Sequence, residues 1–179
     1  MSLSGDTGSV GRLLAGQGVV ARRLGAMGVA GSPLLEGWRI DRFEAELVYR
    51  VVSVTDILIV RYRRAGGAPG LRNPFRCFEW FHSLLRDHRH ETGVTFSFGV
   101  IDTSLFRGDG GIDDATLAHI YKNLMGGRII DTAEVPGLSP FQRAFHRRSG
   151  TRWISQQLEH YTTAREYRRL GRQAALNAG

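Results

Sequence analysis

The chain has 179 residues, enough for one sizeable core and short for two. Hydrophobic residues make up 42% and charged residues 23%, which argues against wholesale disorder. A net charge of +7 and a lone cysteine, Cys77, exclude an internal disulfide framework and ask where the excess charge sits. No stretch approaches the roughly 20 apolar residues of a membrane span. The first residues, MSLSGDTGSVGRLLAG, lack the basic start and apolar run of a signal peptide, so the expectation is a cytoplasmic protein.

In chain order, residues 1–9 read as a disordered N-terminus. Val10–Gln17 reads as a short helix stopped by Gly16 or Gly18. Gly25–Pro33 is a Gly-rich loop. Arg42–Val52 alternates, with Phe43, Ala45, Leu47 and Tyr49 on one side and Arg42, Glu44, Glu46 and Arg50 on the other, the pattern of a strand with one wet face. Trp38–Ile40 leads into it. Ile57–Val60 is a continuous apolar run, hence a strand buried on both faces, and pairs with the previous strand as an antiparallel hairpin.

After the loop at 65–71, Asn73 and Pro74 open a helix carrying Phe75, Phe78, Trp80, Phe81, Leu84 and Leu85. Thr95–Ile101 reads as a strand. A polar loop follows, and then Asp113 caps a helix with Leu117, Ile120, Tyr121 and Leu124 on one face. Arg128–Asp131 is a short edge strand and Pro136–Pro140 a hinge. The remainder reads as helical, with Ile154, Leu158 and Tyr161 as its apolar stripe. The expected fold is α/β (α+β): a mainly antiparallel sheet packed by two or three helices, with a core at 10–135 and a basic helical segment at 136–179.

That segment holds the charge. Residues 138–179 carry eight arginines against Glu159 and Glu166. Lys122 is the one lysine of the chain, so guanidinium groups dominate, and these favour planar, bidentate contacts to carboxylate or phosphate. The expected partner-binding residues are Arg147, Arg148, Arg152, Trp153, Tyr161, Arg165, Arg168 and Arg169. An acidic protein segment would suit them, and nucleic acid is the alternative through the same arginines and aromatics.

Other clusters point to no chemistry. The loop from Asp102 to Asp114 concentrates carboxylates but lacks the spacing and bidentate Glu of a calcium loop. His88, His90 and Glu91 fall short of a zinc ligand set and read as a solvated helix end. Cys77 sits among Phe75, Phe78 and Phe81, where an inert thiol is expected rather than a nucleophile paired with His82. The glycines at 66–70 lack the lysine of a phosphate loop. The reading is of a non-enzyme without cofactor, metal or catalytic residues.

Three places resemble the LcrR (low-calcium-response R) proteins of bacterial type III secretion systems: Gly70-Leu-Arg-Asn-Pro-Phe75, Leu117-Ala-His-Ile-Tyr121 followed by Arg128–Ile129, and the Arg42–Arg63 hairpin. The resemblance covers residues 10–132 and leaves the basic tail unmatched. It implies a cytoplasmic regulator or chaperone-like accessory of the virulence apparatus that stabilises or regulates a secretion component, with no catalytic residues to carry over. The element order is also similar to small secretion chaperones, which are acidic dimers; homodimerisation stays open, and this chain departs by being basic.

Overall fold

The computed structural model describes residues 8–24, 36–64, 75–101 and 126–177, together with the single positions 115, 119 and 122. Of the N-terminal tail expected at 1–9, Gly8 and Ser9 are described, and Ser9 opens a helix rather than ending a tail. The rest of the tail, the loops at 25–33, 65–71 and 102–112, the Asn73–Pro74 cap and nearly all of the helix at 113–125 lie outside the described residues.

The described chain begins with α1 (Ser9–Gly16), β1 (Arg22–Leu24), β2 (Gly37–Arg42), β3 (Ala45–Val51) and β4 (Asp56–Arg64). Helices α2 (Arg76–Asp87) and α3 (Arg89–Thr92) lead to β5 (Phe96–Ile101) and β6 (Arg128–Ile130). A 3-10 turn at Thr132–Glu134 precedes α4 (Pro140–Arg148). The chain then forms β7 (Arg152–Gln157), a 3-10 turn at Leu158–His160, and α5 (Ala164–Asn177).

The described strands make one seven-stranded sheet in the order β1-β2-β3-β4-β5-β7-β6. Every pairing is antiparallel except β4 with β5. That parallel step needs a long crossover, which α2 and α3 supply. The mixed α/β class, the Arg128 edge strand and the antiparallel pairing of β3 with β4 follow the expectation.

Both faces of the sheet are covered. On one face α1 and α2 pack Val10, Leu14, Phe78, Phe81 and Leu85 against Leu47, Tyr49, Ile57 and Ile59. The other face packs Leu58, Ile130 and Trp153 under Val135 and Leu138. Ile57 and Ile59 therefore face one core while Leu58 faces the other, which is why this run shows no alternation.

Three expectations are corrected. The strand expected at Arg42–Val52 is broken: Phe43 and Glu44 form the turn between β2 and β3, both with left-handed φ (53° and 59°). Such two-residue turns match the twist of a hairpin, at a steric cost for side-chain-bearing residues. Aromatic and cationic packing offsets that cost. Phe43 meets Trp80 edge-on at 6.0 Å, with Arg42 and Arg76 guanidiniums 4.9 and 4.3 Å from its ring centroid.

Glu46, expected on a wet face, is 1% exposed. Arg39, Arg61 and Arg63 close over it from β2 and β4, with Arg39 Nε at 3.1 Å. These ion pairs offset part of the cost of taking a carboxylate out of water.

The segment at 136–179 is not uniformly helical. Residues 152–157 enter the sheet as β7, paired with β5 on one side and β6 on the other. The spacing of Ile154, Leu158 and Tyr161 resembles a helical stripe, yet Ile154 lies on a strand, Leu158 in a 3-10 turn and Tyr161 just after it. No described helix is long and apolar enough to cross a membrane.

Candidate functional site: the outward face of helix α4 and its basic rim

Ser139-Pro140-Phe-Gln142 carries a helix start in four residues. The Ser139 hydroxyl accepts the Gln142 N–H (3.1 Å), and the Gln142 side-chain oxygen accepts the Ser139 N–H (2.9 Å). Pro140 needs no partner in the first turn. The helix that follows is turned inside out. Its inward side is polar: Gln142 is buried, and the Arg143 guanidinium donates to the carbonyls of Thr132 (3.0 Å), Ala133 (3.0 Å) and Val135 (2.9 Å). Its outward side carries Phe141, 63% exposed, and Phe145, 44% exposed, one turn apart. Ala144 and Arg148 complete that exposed face at the same helical spacing.

A left-handed Gly150 (φ 62°) reverses the chain after α4. The N–H groups of Ser149, Gly150 and Thr151 cover the carbonyls of Phe145, Arg147 and His146. His146 stacks edge-on against Trp153 at 4.8 Å and bonds through Nδ1 to Thr151 Oγ1 (3.0 Å). Burial holds its pKa below the usual imidazole value. Arg147, Arg148 and Arg152 are exposed around this reversal, and none pairs with an acidic side chain among the described residues.

The remaining expected contact residues fall into two other places. Trp153 and Tyr161, each 2% exposed, belong to the two cores, so neither lies on a contact surface. Arg165, Arg168 and Arg169 project from α5. Thr163 and Glu166 box the start of that helix (Thr163 N–H to Glu166 at 2.8 Å, Glu166 N–H to Thr163 at 3.1 Å). Arg86 ties it to α2 through Glu166 (3.1 Å) and the Tyr161 carbonyl (2.9 Å). This interaction pulls the Glu166 carboxyl down to about 2.

Along α5, Arg165, Tyr167, Arg168, Arg169, Leu170 and Arg172 are all exposed. At about 100° per residue the four arginines share an arc of about 100°, and Tyr167 and Leu170 lie on the opposite side. The six residues of β7, at ~3.3 Å each, span roughly 17 Å from Arg152 to Gln157, and a 3-10 turn and three further residues precede α5. The expected arginines thus form two patches, one beside exposed phenylalanines and one along a helix.

Buried reactive groups are inert by placement. Cys77 lies in the core, where burial pushes its thiol up to about 12. His82 does not face it: Nδ1–H donates to the Phe78 carbonyl (3.0 Å), leaving Nε2 to accept the Ser97 hydroxyl (2.8 Å). A Ser–His pair at that distance resembles a nucleophile and its base, but both residues are buried beneath α2. Burial lowers the imidazole to about 4. His88 pairs with Glu91 at 2.9 Å on the surface, as expected of a helix end. Among the described residues, no three His, Cys, Asp or Glu side chains come together as a metal site.

Sequence reasoning named the rim of this surface but not its centre. Phe141 and Phe145 carry an i, i+4 apolar signal that periodicity assigns to a core. The loop carboxylates Asp102 and Asp109 lie outside the described residues. No protein-family model, curated protein or solved structure matches the chain.

Proposed function

We propose that the protein is a non-enzymatic binding protein that docks an acidic, partly apolar segment of another protein on the outward face of α4. One observation carries this: Phe141 and Phe145 face solvent on a helix that buries Gln142 and turns a half-buried Arg143 to the protein instead. The helix is held from its polar side, by Arg143 on three carbonyls and His146 against Trp153, so the apolar pair itself contributes little to folding. Aromatic anchors ringed by arginine are the residue types that dominate protein contacts. Arg147, Arg148 and Arg152 supply charge complementarity to carboxylates on the partner.

The resemblance of residues 10–132 to LcrR proteins supports a type III secretion component as that partner, with a cytoplasmic chaperone or regulator as the role. The exposed arginine arc of α5 adds a second basic surface. A phosphate backbone could occupy the arc, but Leu170 and the phenylalanines call for apolar cover.

The test is capture from nuclease-treated native lysate by tagged wild-type protein and by the Phe141→Glu/Phe145→Glu variant, then reconstitution with purified components. The expected result is a secretion component bound by wild type, lost from the variant, and bound again by wild type in purified form. Binding that survives the double substitution moves the interface elsewhere. Loss of all partners after nuclease, with binding to nucleic acid that falls steeply with salt, replaces this reading by a nucleic-acid one.

A further inference from the structure

A cavity of about 500 Å³ opens between the turn at Asp131–Ala133 and the reversal at His146–Arg152, behind the docking face. Its walls are fixed from within. Arg143 bonds the carbonyls of the turn to α4, and the buried Trp153 indole N–H donates to Thr132 Oγ1 at 3.1 Å. The polar groups on its lining are unevenly matched. The one carboxylate, Asp131, is turned to the backbone N–H of Glu134 in a capping box. The two guanidiniums, Arg147 and Arg152, pair with no acidic side chain among the described residues.

Two further lining residues carry hydroxyl groups. Thr132 Oγ1 accepts from Trp153, which leaves its own hydrogen for another acceptor. Thr151 can donate likewise where His146 Nδ1 carries the proton of their mutual bond. Arg143 adds a third positive charge behind the wall, bonded to three carbonyl oxygens and, among the described residues, to no acidic side chain. At the C-terminal end of α4, which disfavours an anion, the N–H groups of residues 149–151 cover the carbonyls of Phe145, His146 and Arg147 and so lessen the repulsion.

We propose that this cavity is an oxyanion site, in which Arg147 and Arg152 grip a carboxylate or phosphoryl group and the threonine hydroxyls complete its hydrogen bonds. Guanidinium forks match both anions bidentately. The cavity is roomy enough for a small free anion or for the acidic side chain of a bound chain, and the shared chemistry is the oxyanion. The site does not depend on the α4 docking reading, since a free anion alone can fill it.

The experiment is a titration of the full chain with inorganic phosphate and, separately, with glutarate, at ionic strength held constant with chloride. Binding is read from the ring resonances of His146, which lines the cavity, and from the Trp153 indole N–H, which bonds the lining residue Thr132. Saturable shifts with a dissociation constant in the low-millimolar range, about 1–10 mM, are expected for at least one anion. Arg147→Gln and Arg152→Gln should each weaken binding roughly ten-fold, as loss of a charge-assisted bond does. Both residues are exposed, so near-UV circular dichroism should stay unchanged. Tighter binding of phosphate points to a phosphoryl ligand, and tighter binding of glutarate to a carboxylate side chain. Shifts that never saturate with either anion, or that persist equally in both variants, overturn the site.

Discussion

Trp153 donates its indole N–H to Thr132 Oγ1 across 3.1 Å, and that bond joins the inserted strand β7 to the turn that carries α4. Both residues are buried. Thr132→Val keeps the shape and strands the N–H, which costs about 1–3 kcal/mol. Thr132→Ser should restore most of the loss. Urea unfolding midpoints of the three proteins decide it: equal stability of the Val variant and wild type would mean that the bond contributes nothing.

His82 gives the fold a dependence on pH. Its folded-state value of about 4 lies below the ordinary 6.5 because burial beneath α2 disfavours the cation. The imidazole is neutral in both states above about 6.5, so its full contribution is present there. As pH falls from 6.5 towards 4, the unfolded chain takes up the proton first, and stability drops by up to about 3 kcal/mol. Below 4 both states are protonated and this contribution is spent. His82→Gln should flatten the part of the stability–pH curve between 4 and 6.5; an unchanged slope in the variant assigns it to other groups.

Helix α5 is held at its first turn. Arg86 and the Thr163 box keep the Glu166 carboxyl charged down to about 2, so the anchor persists at neutral pH and weakens as pH falls from about 4.5 to 2. Glu166→Gln removes the charge at every pH. Trypsin should then cleave after Arg165, Arg168 and Arg169 several-fold faster, while the melting temperature of the sheet stays within a few degrees, because β7 does not depend on α5. Equal cleavage rates would show that the pair does not hold the helix.

Gly137 crosses the second face of the sheet in the left-handed region (φ 71°), and a Cβ there would meet Val52 Cγ1 at 2.5 Å. Its carbonyl also accepts the Arg50 guanidinium at 2.9 Å. Gly137→Ala meets both a steric and a dihedral cost, about 2–4 kcal/mol together. Thermal unfolding measures it, and Val52→Ala in the same chain should recover only part of the steric cost, because the Val52 Cβ, at 2.6 Å, remains.

How much of this was legible depends on which force wrote the pattern. Leu47, Tyr49, Ile57 and Ile59 announce their strands because burial alone selects them. β7 does not: Trp153 and Ile154 are buried on opposite faces, so no alternation appears, and Ser155-Gln156-Gln157 reads as surface although Gln156 is buried. The break at Gly150 was visible as a residue but not as the start of a strand. Glu46 likewise looked wet because a single strand does not reveal the arginines that Arg39 and Arg61 bring from its neighbours. The docking face was illegible for a related reason, since Arg143 inward and Phe141 outward reverse the usual preference, and only the three carbonyls waiting beneath α4 explain it.

That reversal makes an expectation opposite to the one hydropathy would give. Phe145→Ser removes an aromatic ring from a helix, yet the ring is half in water, so stability should change by no more than about 0.5 kcal/mol. Arg143→Met replaces a charged residue by an apolar one of similar length, yet it leaves the carbonyls of Thr132 and Val135 without their donor, at a cost of about 2–4 kcal/mol. Denaturant unfolding of both variants tests the pair directly. If Phe145→Ser were the costlier change, the phenylalanine face would be part of the folding core and would be unsuited to docking a partner.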